Sequence, residues 1–302
     1  MPFQKGLCTI FSAALLALLA PVEVDRSADA AEELWLATPD RGLCASLFAA
    51  SQVSAEVGDG KTVSVSETTD YPFSDTVTLK IRTPKAVKFP LRLRIPRWCA
   101  KPSVRINGRK VSLKAEPLAY AIIDRAWRDG DTLTLQLPMQ ITLRKWEKNN
   151  NAVSVDYGPL TFSLKIGEQW RRYGNNEAWP EWEVFPTTPW NYGLELNRHE
   201  PAKSFEILKK PGPIAANPFT PATVPIELRA KARRIPAWEQ DQFSLAGKLQ
   251  PSPAKSKEPV ETVSLIPMGA ARLRITSFPV IGHGSDAHEW TQAKAPPTSA
   301  SD

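Results

Sequence analysis

The sequence is poor in the residues that most often hold metals or act as nucleophiles. Its 302 residues include three cysteines and three histidines, too few and too widely spaced for a structural zinc site. A Gly-x-Ser-x-Gly turn, a Gly-rich phosphate loop and a calcium-binding loop are also missing from it. The histidines fall in predicted loop or tail: His199, His283 and His288. The residues therefore predict no metal, no cofactor and no catalytic triad.

Long apolar runs are also missing, apart from residues 7–20 near the start. That run is shorter than the roughly 20 residues of a membrane span. Lys5 precedes it and Ala28-Asp29-Ala30 follows with small residues, so residues 1–30 predict a signal peptide and a periplasmic or extracellular protein. The alternative is an uncleaved leader that anchors the chain. After cleavage, Cys44 and Cys99 could form a disulfide or stay separate buried thiols.

The basic residues do not form a nucleic-acid-binding motif, although the net charge is +6 and the isoelectric point is about 9.2. Most of them alternate with apolar residues, as in Leu91-Arg92-Leu93-Arg94-Ile95. This alternation is typical of a strand with one buried and one solvated face. We therefore expect no nucleic-acid partner.

Alternating apolar residues dominate residues 63–146 and predict antiparallel strands. Asn107-Gly108 and Asp129-Gly130 each predict a two-residue hairpin turn. A second β region begins near Val153, with its clearest strand at residues 160–166 and its last at residues 271–278. The predicted fold class is all-β, with two antiparallel β-sandwich-type domains at residues 34–147 and 152–282. The polar stretch 148–151 is the predicted boundary, and residues 283–302 a disordered tail.

Two long segments do not have a strand pattern. Residues 237–261 are rich in proline, serine and lysine and predict a surface loop, whereas residues 169–197 are rich in aromatics. Such an aromatic segment either caps the open end of a sandwich or contacts a ligand or another domain. The candidate carbohydrate or domain-contact residues in it are Trp179, Trp182, Trp190, Asn191 and Tyr192.

Glu181 and Glu183 flank Trp182 and are the first candidate pair of acids for glycoside hydrolysis, which needs two opposed carboxyl groups. Residues two apart on an extended chain point the same way, so we expect solvated acids here. Cys44 and Cys99 would need a neighbouring base or metal to act as nucleophiles, and we expect inert thiols. No catalytic residue is assigned.

Several segments, read in order, resemble the region that follows the catalytic barrel in glycoside hydrolase family 127, the β-L-arabinofuranosidases. The most specific are Gly42-Leu43 to Phe48 with Ser51-Gln52-Val53, Glu67-Thr68-Thr69-Asp70-Tyr71-Pro72-Phe73, and Leu91 to Trp98. The resemblance implies a β-sandwich middle module and a C-terminal β module packed on a catalytic α/α toroid. In that family a zinc-held cysteine nucleophile and a glutamate acid/base lie on the toroid, and none of these positions can be assigned in this sequence.

The predicted function is therefore the non-catalytic accessory β-sandwich portion of a family-127-like glycoside hydrolase of arabinofuranoside-type glycans, inactive alone. One alternative is a docking or carbohydrate-binding module that acts with a separately encoded catalytic domain. Another is a hydrolase with its own site in residues 169–197. The partners to expect are a glycan or a catalytic α/α toroid domain.

Overall fold

The structure, a computed structural model, describes residues 23–24, 34–112 and 115–282. In these residues nearly all regular structure is β, and the helical turns are two short 3₁₀ segments, Pro201–Ser204 and Met268–Ala270. The predicted all-β fold of antiparallel, sandwich-type sheets is thus confirmed. The chain divides into two compact units, up to Pro138 and from Met139. The predicted signal peptide and tail lie outside the described residues, except Glu23–Val24, and export stays a prediction.

The first unit is a sandwich of two sheets. One sheet has the strand order β1-β4-β5-β6-β11-β8-β9 and the other the order β10-β7-β3-β2. All pairs are antiparallel except β3 with β7, which is parallel. The strands are β1 (Glu23–Val24), β2 (Trp35–Ala37), β3 (Leu43–Ala45), β4 (Ser51–Val57), β5 (Lys61–Thr69), β6 (Thr76–Arg82), β7 (Val87–Arg94), β8 (Ser103–Ile106), β9 (Arg109–Val111), β10 (Tyr120–Trp127) and β11 (Thr132–Gln136).

The two-residue periodicity of these strands places every second side chain in one core shared by both sheets. In β6 the alternation fully buries Val77, Leu79 and Ile81. The opposite sheet contributes Leu91 and the indole of Trp127, whose Nε1 donates a hydrogen bond to the Phe89 carbonyl at 3.1 Å. Each large apolar side chain buried here stabilises the unit by roughly 2 kcal/mol.

One of the two predicted hairpin turns is confirmed and the other is wrong. Asn107 and Gly108, both with positive φ, join the paired strands β8 and β9. Asp129-Gly130 instead connects β10 to β11, which lie in different sheets. The Gly130 amide donates to the Ile81 carbonyl at 2.9 Å, so this turn carries the chain from one sheet to the other.

The second unit is built on one long sheet with the order β12-β13-β14-β20-β19-β17, in which β18 also pairs with β19. A separate two-stranded hairpin consists of β15 and β16. The strands are β12 (Ile141–Trp146), β13 (Ala152–Tyr157), β14 (Leu160–Leu164), β15 (Glu168–Tyr173), β16 (Glu181–Pro186), β17 (Tyr192–Leu194), β18 (Phe205–Lys209), β19 (Ile226–Arg234) and β20 (Val260–Pro267).

The polar stretch 148–151 is not a linker between units. It is the turn between β12 and β13, which pair from Ile141 with Tyr157 to Trp146 with Ala152. Asn150 and Asn151 have the positive φ that such a turn requires. The stretch is polar because it is a solvated turn, and the division between the units comes about ten residues earlier, between Pro138 and Met139.

Three further parts of the second unit differ from or add to the predicted pattern. The sequence predicts no strands in residues 169–197, but this range contains nearly all of β15 and the whole of β16 and β17. Residues 271–278 were expected to form a strand but are irregular, with one bridge from Phe278 to Val153. Residues 237–259 are irregular up to the start of β20. In the part of the chain that the structure describes, no helix is long and apolar enough to cross a membrane.

Candidate functional site

Four exposed aromatic side chains of the second unit lie together on the hairpin of residues 168–186, which we call the aromatic hairpin. Trp170, Tyr173, Trp179 and Trp182 are 48, 58, 79 and 52% exposed. Trp182 pairs with Arg172 across the two strands and its ring meets that of Trp170 edge to face, with ring centroids 6.4 Å apart. Both faces of the hairpin are largely open to solvent, so its aromatic and charged residues lie on faces that no other part of the second unit buries.

The structure separates the five residues predicted to contact a glycan or a domain. Trp179 and Trp182 lie on the aromatic hairpin, whereas Trp190, Asn191 and Tyr192 lie at the start of β17, on the main sheet of the second unit. Trp190 is half-buried against Trp238, with ring centroids 5.2 Å apart and planes at 79°. The predicted set is therefore two features, the exposed hairpin and a group of residues around Trp190.

Trp190 and Asn191 line an open cavity of about 420 Å³, which we call the Trp190 cavity. Its other walls are Pro186, Thr187, Thr188, Pro189, Arg234, Trp238, Glu239 and Gln240. The lining thus combines two indole rings with hydroxyl, amide, guanidinium and carboxylate groups. Its volume lies in the range of roughly 300–1,000 Å³ typical of small-molecule sites.

Asn191 holds the walls of the Trp190 cavity together. Its side-chain Nδ2 donates to the carbonyls of Ile235 and Trp238, both at 3.1 Å, and its own carbonyl accepts from the Ile235 amide at 2.7 Å. The Trp238 indole N–H donates to the Gly247 carbonyl at 3.0 Å. These bonds fix the Trp238 ring and the chain at Trp190 in one arrangement before any ligand arrives.

Tyr192 has a structural role. The side chain is 5% exposed and its hydroxyl donates to Oε2 of Glu261 at 2.8 Å. The pKa of Tyr192 is raised to about 12, mainly by burial and to a smaller extent by this bond to a carboxylate. Both effects favour the protonated phenol, so Tyr192 stays a hydrogen-bond donor at neutral pH.

Glu181 and Glu183 do not form an opposed pair of acids. They are exposed and two residues apart on β16, opposite Tyr173 and Arg171 of β15. Alternate residues of a strand share a face, so the two carboxyl groups cannot lie on either side of one substrate bond.

The two described cysteines are free and buried. Burial raises the pKa of both thiols, that of Cys99 to about 11. A thiolate is the reactive form, so both are poor nucleophiles at neutral pH. Among the residues with described positions, no group of three or more His, Cys, Asp or Glu could hold a metal ion.

Sequence reasoning missed the most unusual acid of the first unit, Glu67 on β5. Its side chain is 3% exposed and neither carboxylate oxygen has a hydrogen-bond partner. Burial raises its pKa to about 8, and the Ala49 amide acts in the opposite direction. A signal was present in the sequence, because Glu67 continues the inward series Val63, Val65.

The partners of Trp190 were also missed. Arg234 and Trp238 lie more than forty positions along the chain, at the end of β19 and in the segment after it. Only the fold brings them beside Trp190. Their own sequence neighbourhood, a strand end followed by a Pro-rich loop, gives no separate signal of a site.

Comparison with known proteins finds a family match for about a third of the chain. Residues 42–139 match the family model "Beta-L-arabinofuranosidase, GH127 middle domain", so this segment is similar to the middle domain of glycoside hydrolase family 127. The match ends within one residue of the division between the two units. No curated protein matches the chain in sequence.

Solved structures of glycoside hydrolases resemble the fold of most of this chain. A GH127 β-L-arabinofuranosidase from Geobacillus stearothermophilus T6 is 26% identical with a TM-score of 0.54, and the match covers 81% of this chain and 34% of that protein. A glycoside hydrolase (22% identity, TM-score 0.56) and a GH127 β-arabinofuranosidase (16%, 0.56) share the fold, each over 82% of this chain and 37 and 36% of theirs. The chain thus spans about a third of the length of these proteins.

Proposed function

We propose that this chain is the non-catalytic accessory portion of a family-127 glycoside hydrolase that acts on arabinofuranoside-type glycans. The observation that carries the proposal is the middle-domain match at residues 42–139, within a likeness to larger arabinofuranosidases that covers four fifths of this chain. In this proposal the bond cleavage belongs to a catalytic domain, and the chain alone does not hydrolyse arabinofuranosides.

The chemistry of the described residues supports the absence of independent catalysis. Retaining hydrolysis needs a nucleophile and an acid/base about 5 Å apart, and inversion needs two carboxyl groups across a water. Cys44 and Cys99 are buried with raised pKa values. Glu67 is closed off from solvent in the core, and Glu181 and Glu183 share one face of a hairpin. None of these groups faces a partner of the kind that hydrolysis requires.

The experiment is a hydrolysis assay with the purified chain on aryl α- and β-L-arabinofuranosides, with a family-127 arabinofuranosidase as the positive control. We expect no turnover above that of a mock purification. Turnover that co-purifies with the chain would contradict the proposal. Glu181→Gln and Glu183→Gln then decide whether the aromatic hairpin is responsible, since loss of activity in either would place a site there.

The aromatic hairpin favours a second role, the docking of a catalytic α/α toroid domain. Trp179 and Trp182 expose 79 and 52% of their surface on a two-stranded hairpin. A patch of that kind is a common mark of a contact surface. In this role the hairpin is covered by the catalytic domain and the Trp rings are the contact residues.

Co-purification with a separately produced family-127 catalytic domain tests this docking role. We expect the wild-type chain to be retained and the double variant Trp179→Ala/Trp182→Ala to be lost. Phe243→Ala is the matched control, because Phe243 is 71% exposed but lies outside the hairpin. Equal retention of the double variant and the control would exclude the hairpin as the contact.

A further inference from the structure

We infer that the Trp190 cavity binds a neutral sugar ring of a glycan, at a site that shares only Pro186 with the aromatic hairpin. The choice of a sugar as ligand rests on the proposed function, whereas the site itself rests on the geometry of the cavity. The cavity is open, about 420 Å³ in volume, and lies at the end of the second unit's sheet where β17 and β19 pair.

The aromatic part of the cavity fits the apolar face of a sugar. Trp238 is fixed by its bond to Gly247 and stands edge to face with Trp190. Trp190 is half-buried. Aromatic rings with one apolar face and one polar N–H suit ligands that are apolar on one side and wet on the other, as sugar rings are.

The polar part of the cavity fits sugar hydroxyls, each of which both donates and accepts a hydrogen bond. Thr187, Gln240 and Glu239 are exposed around the rings and offer donors and acceptors. Arg234 lines the same cavity, and its Nε is buried without a hydrogen-bond partner in the described part of the chain. The Nε atom is closed off from the cavity, so only the outer part of the guanidinium can meet a ligand hydroxyl.

The charges of the cavity argue against an ionic ligand. It has one guanidinium, that of Arg234, and one carboxylate, that of Glu239. Phosphate and carboxylate ligands are usually bound by clustered arginines or by backbone amides at a helix N-terminus, and neither is part of this lining. Balanced charge beside two indoles therefore selects a neutral polyhydroxyl ligand.

The walls are rigid enough to hold such a ligand. The two bonds from the Asn191 side chain and the one to its carbonyl tie the segment at Trp190 to the chain at residues 235–238. A site formed in advance loses less conformational entropy on binding. Asn191 is thus a positioning residue, and Trp190, Gln240 and Arg234 are the residues that we expect to touch the sugar.

Saturation-transfer-difference NMR of the full chain tests the site. The probes are L-arabinose, methyl α- and β-L-arabinofuranoside, D-xylose and methyl β-D-glucopyranoside. We expect saturable binding of at least one, weakened about two- to tenfold by Trp190→Ala because a stacking aromatic is worth roughly 0.5–1.5 kcal/mol. Gln240→Ala, at an exposed position that leaves the core intact, should weaken it roughly threefold through one lost hydrogen bond. Trp179→Ala, on the aromatic hairpin, should have no effect.

Two outcomes would overturn the inference. One is the absence of saturable binding by the folded wild-type chain, and the other is binding that survives both Trp190→Ala and Gln240→Ala. Circular dichroism of each variant separates a lost site from a lost fold, and Gln240→Ala keeps the test valid if Trp190→Ala unfolds. A chain that neither binds sugars nor hydrolyses arabinofuranosides would refute this site and leave the proposed accessory function standing.

Discussion

Glu67 gives the sharpest test of the first unit, because a buried carboxyl with a raised pKa makes the stability of the fold depend on pH. Burial raises its pKa from 4.5 to about 8, and no charged side chain is among the causes. The folded state therefore holds the proton more tightly than the unfolded state. The stability that this proton provides is complete below about pH 4.5, is lost progressively as the pH rises, and levels off above about pH 8.

The size of the effect follows from the difference between the two pKa values. One pKa unit corresponds to about 1.4 kcal/mol. A shift from 4.5 to about 8 then predicts that the free energy of unfolding falls by roughly 3–4 kcal/mol between about pH 5 and about pH 8. Glu67→Gln keeps the shape of the side chain but cannot ionise, so its stability should lose this slope.

Hydrogen exchange followed by mass spectrometry, in urea series at about pH 5 and about pH 8, measures this change in the free energy of unfolding within the intact chain. Peptides from β5 and β6 report the first unit, and peptides from β19 and β20 serve as an internal reference. Glu56→Gln is the matched control, because Glu56 lies on the neighbouring strand β4 with an exposed side chain. A wild-type slope equal to that of Glu67→Gln would refute the view that Glu67 is protonated in the folded state.

Three further predictions concern other parts of the chain. Gly42→Ala should destabilise the first unit by about 1–3 kcal/mol in urea unfolding, because an added Cβ would overlap the Pro90 carbonyl and lie 2.6 Å from Pro90 Cγ; unchanged stability would contradict this packing. Cys44 and Cys99 should resist iodoacetamide in the folded chain and react in urea, as read by peptide mass spectrometry, since burial raises the pKa of both; rapid native labelling would show access that the structure does not give. Tyr192→Phe should lower the stability of the second unit by about 1 kcal/mol through loss of the bond to Glu261, and a neutral result would mean that water replaces this bond.

The sequence predicts the longer strands of the first unit well because their buried and solvated residues alternate. In β7, Phe89, Leu91 and Leu93 are buried while Arg92 and Arg94 alternate with them. Asn107-Gly108 is equally readable, since a two-residue turn needs positive φ. Asp129-Gly130 has the same chemistry, but local chemistry does not decide whether the strand that follows stays in the same sheet. That depends on packing between the sheets.

The candidate site was only half predictable. Trp190 and Asn191 were found through the density of aromatics around them, but Trp238 and Arg234 are far away in sequence and join them through the pairing of β17 with β19. The strands of the aromatic hairpin were missed for a different reason. Neither of its faces is buried, so the alternation of apolar and polar residues that marks a half-buried strand is absent.

Two tryptophans of the first unit lie in its core, whereas three of the second unit are exposed on one hairpin, and this difference favours the hairpin as a contact surface. In the first unit Trp35 and Trp127 are at most 2% exposed, and each indole N–H has a hydrogen-bond partner. In the second unit Trp170, Trp179 and Trp182 stay about half or more exposed on one hairpin. Full burial of an aromatic side chain removes roughly 150–250 Å² from solvent, so at about 25 cal/mol per Å² a ring that stays half exposed lacks roughly 2–3 kcal/mol of the stabilisation that full burial would give. A partner that covers these rings would gain this free energy of burial on binding. The aromatic hairpin is therefore the surface on which we expect a contact.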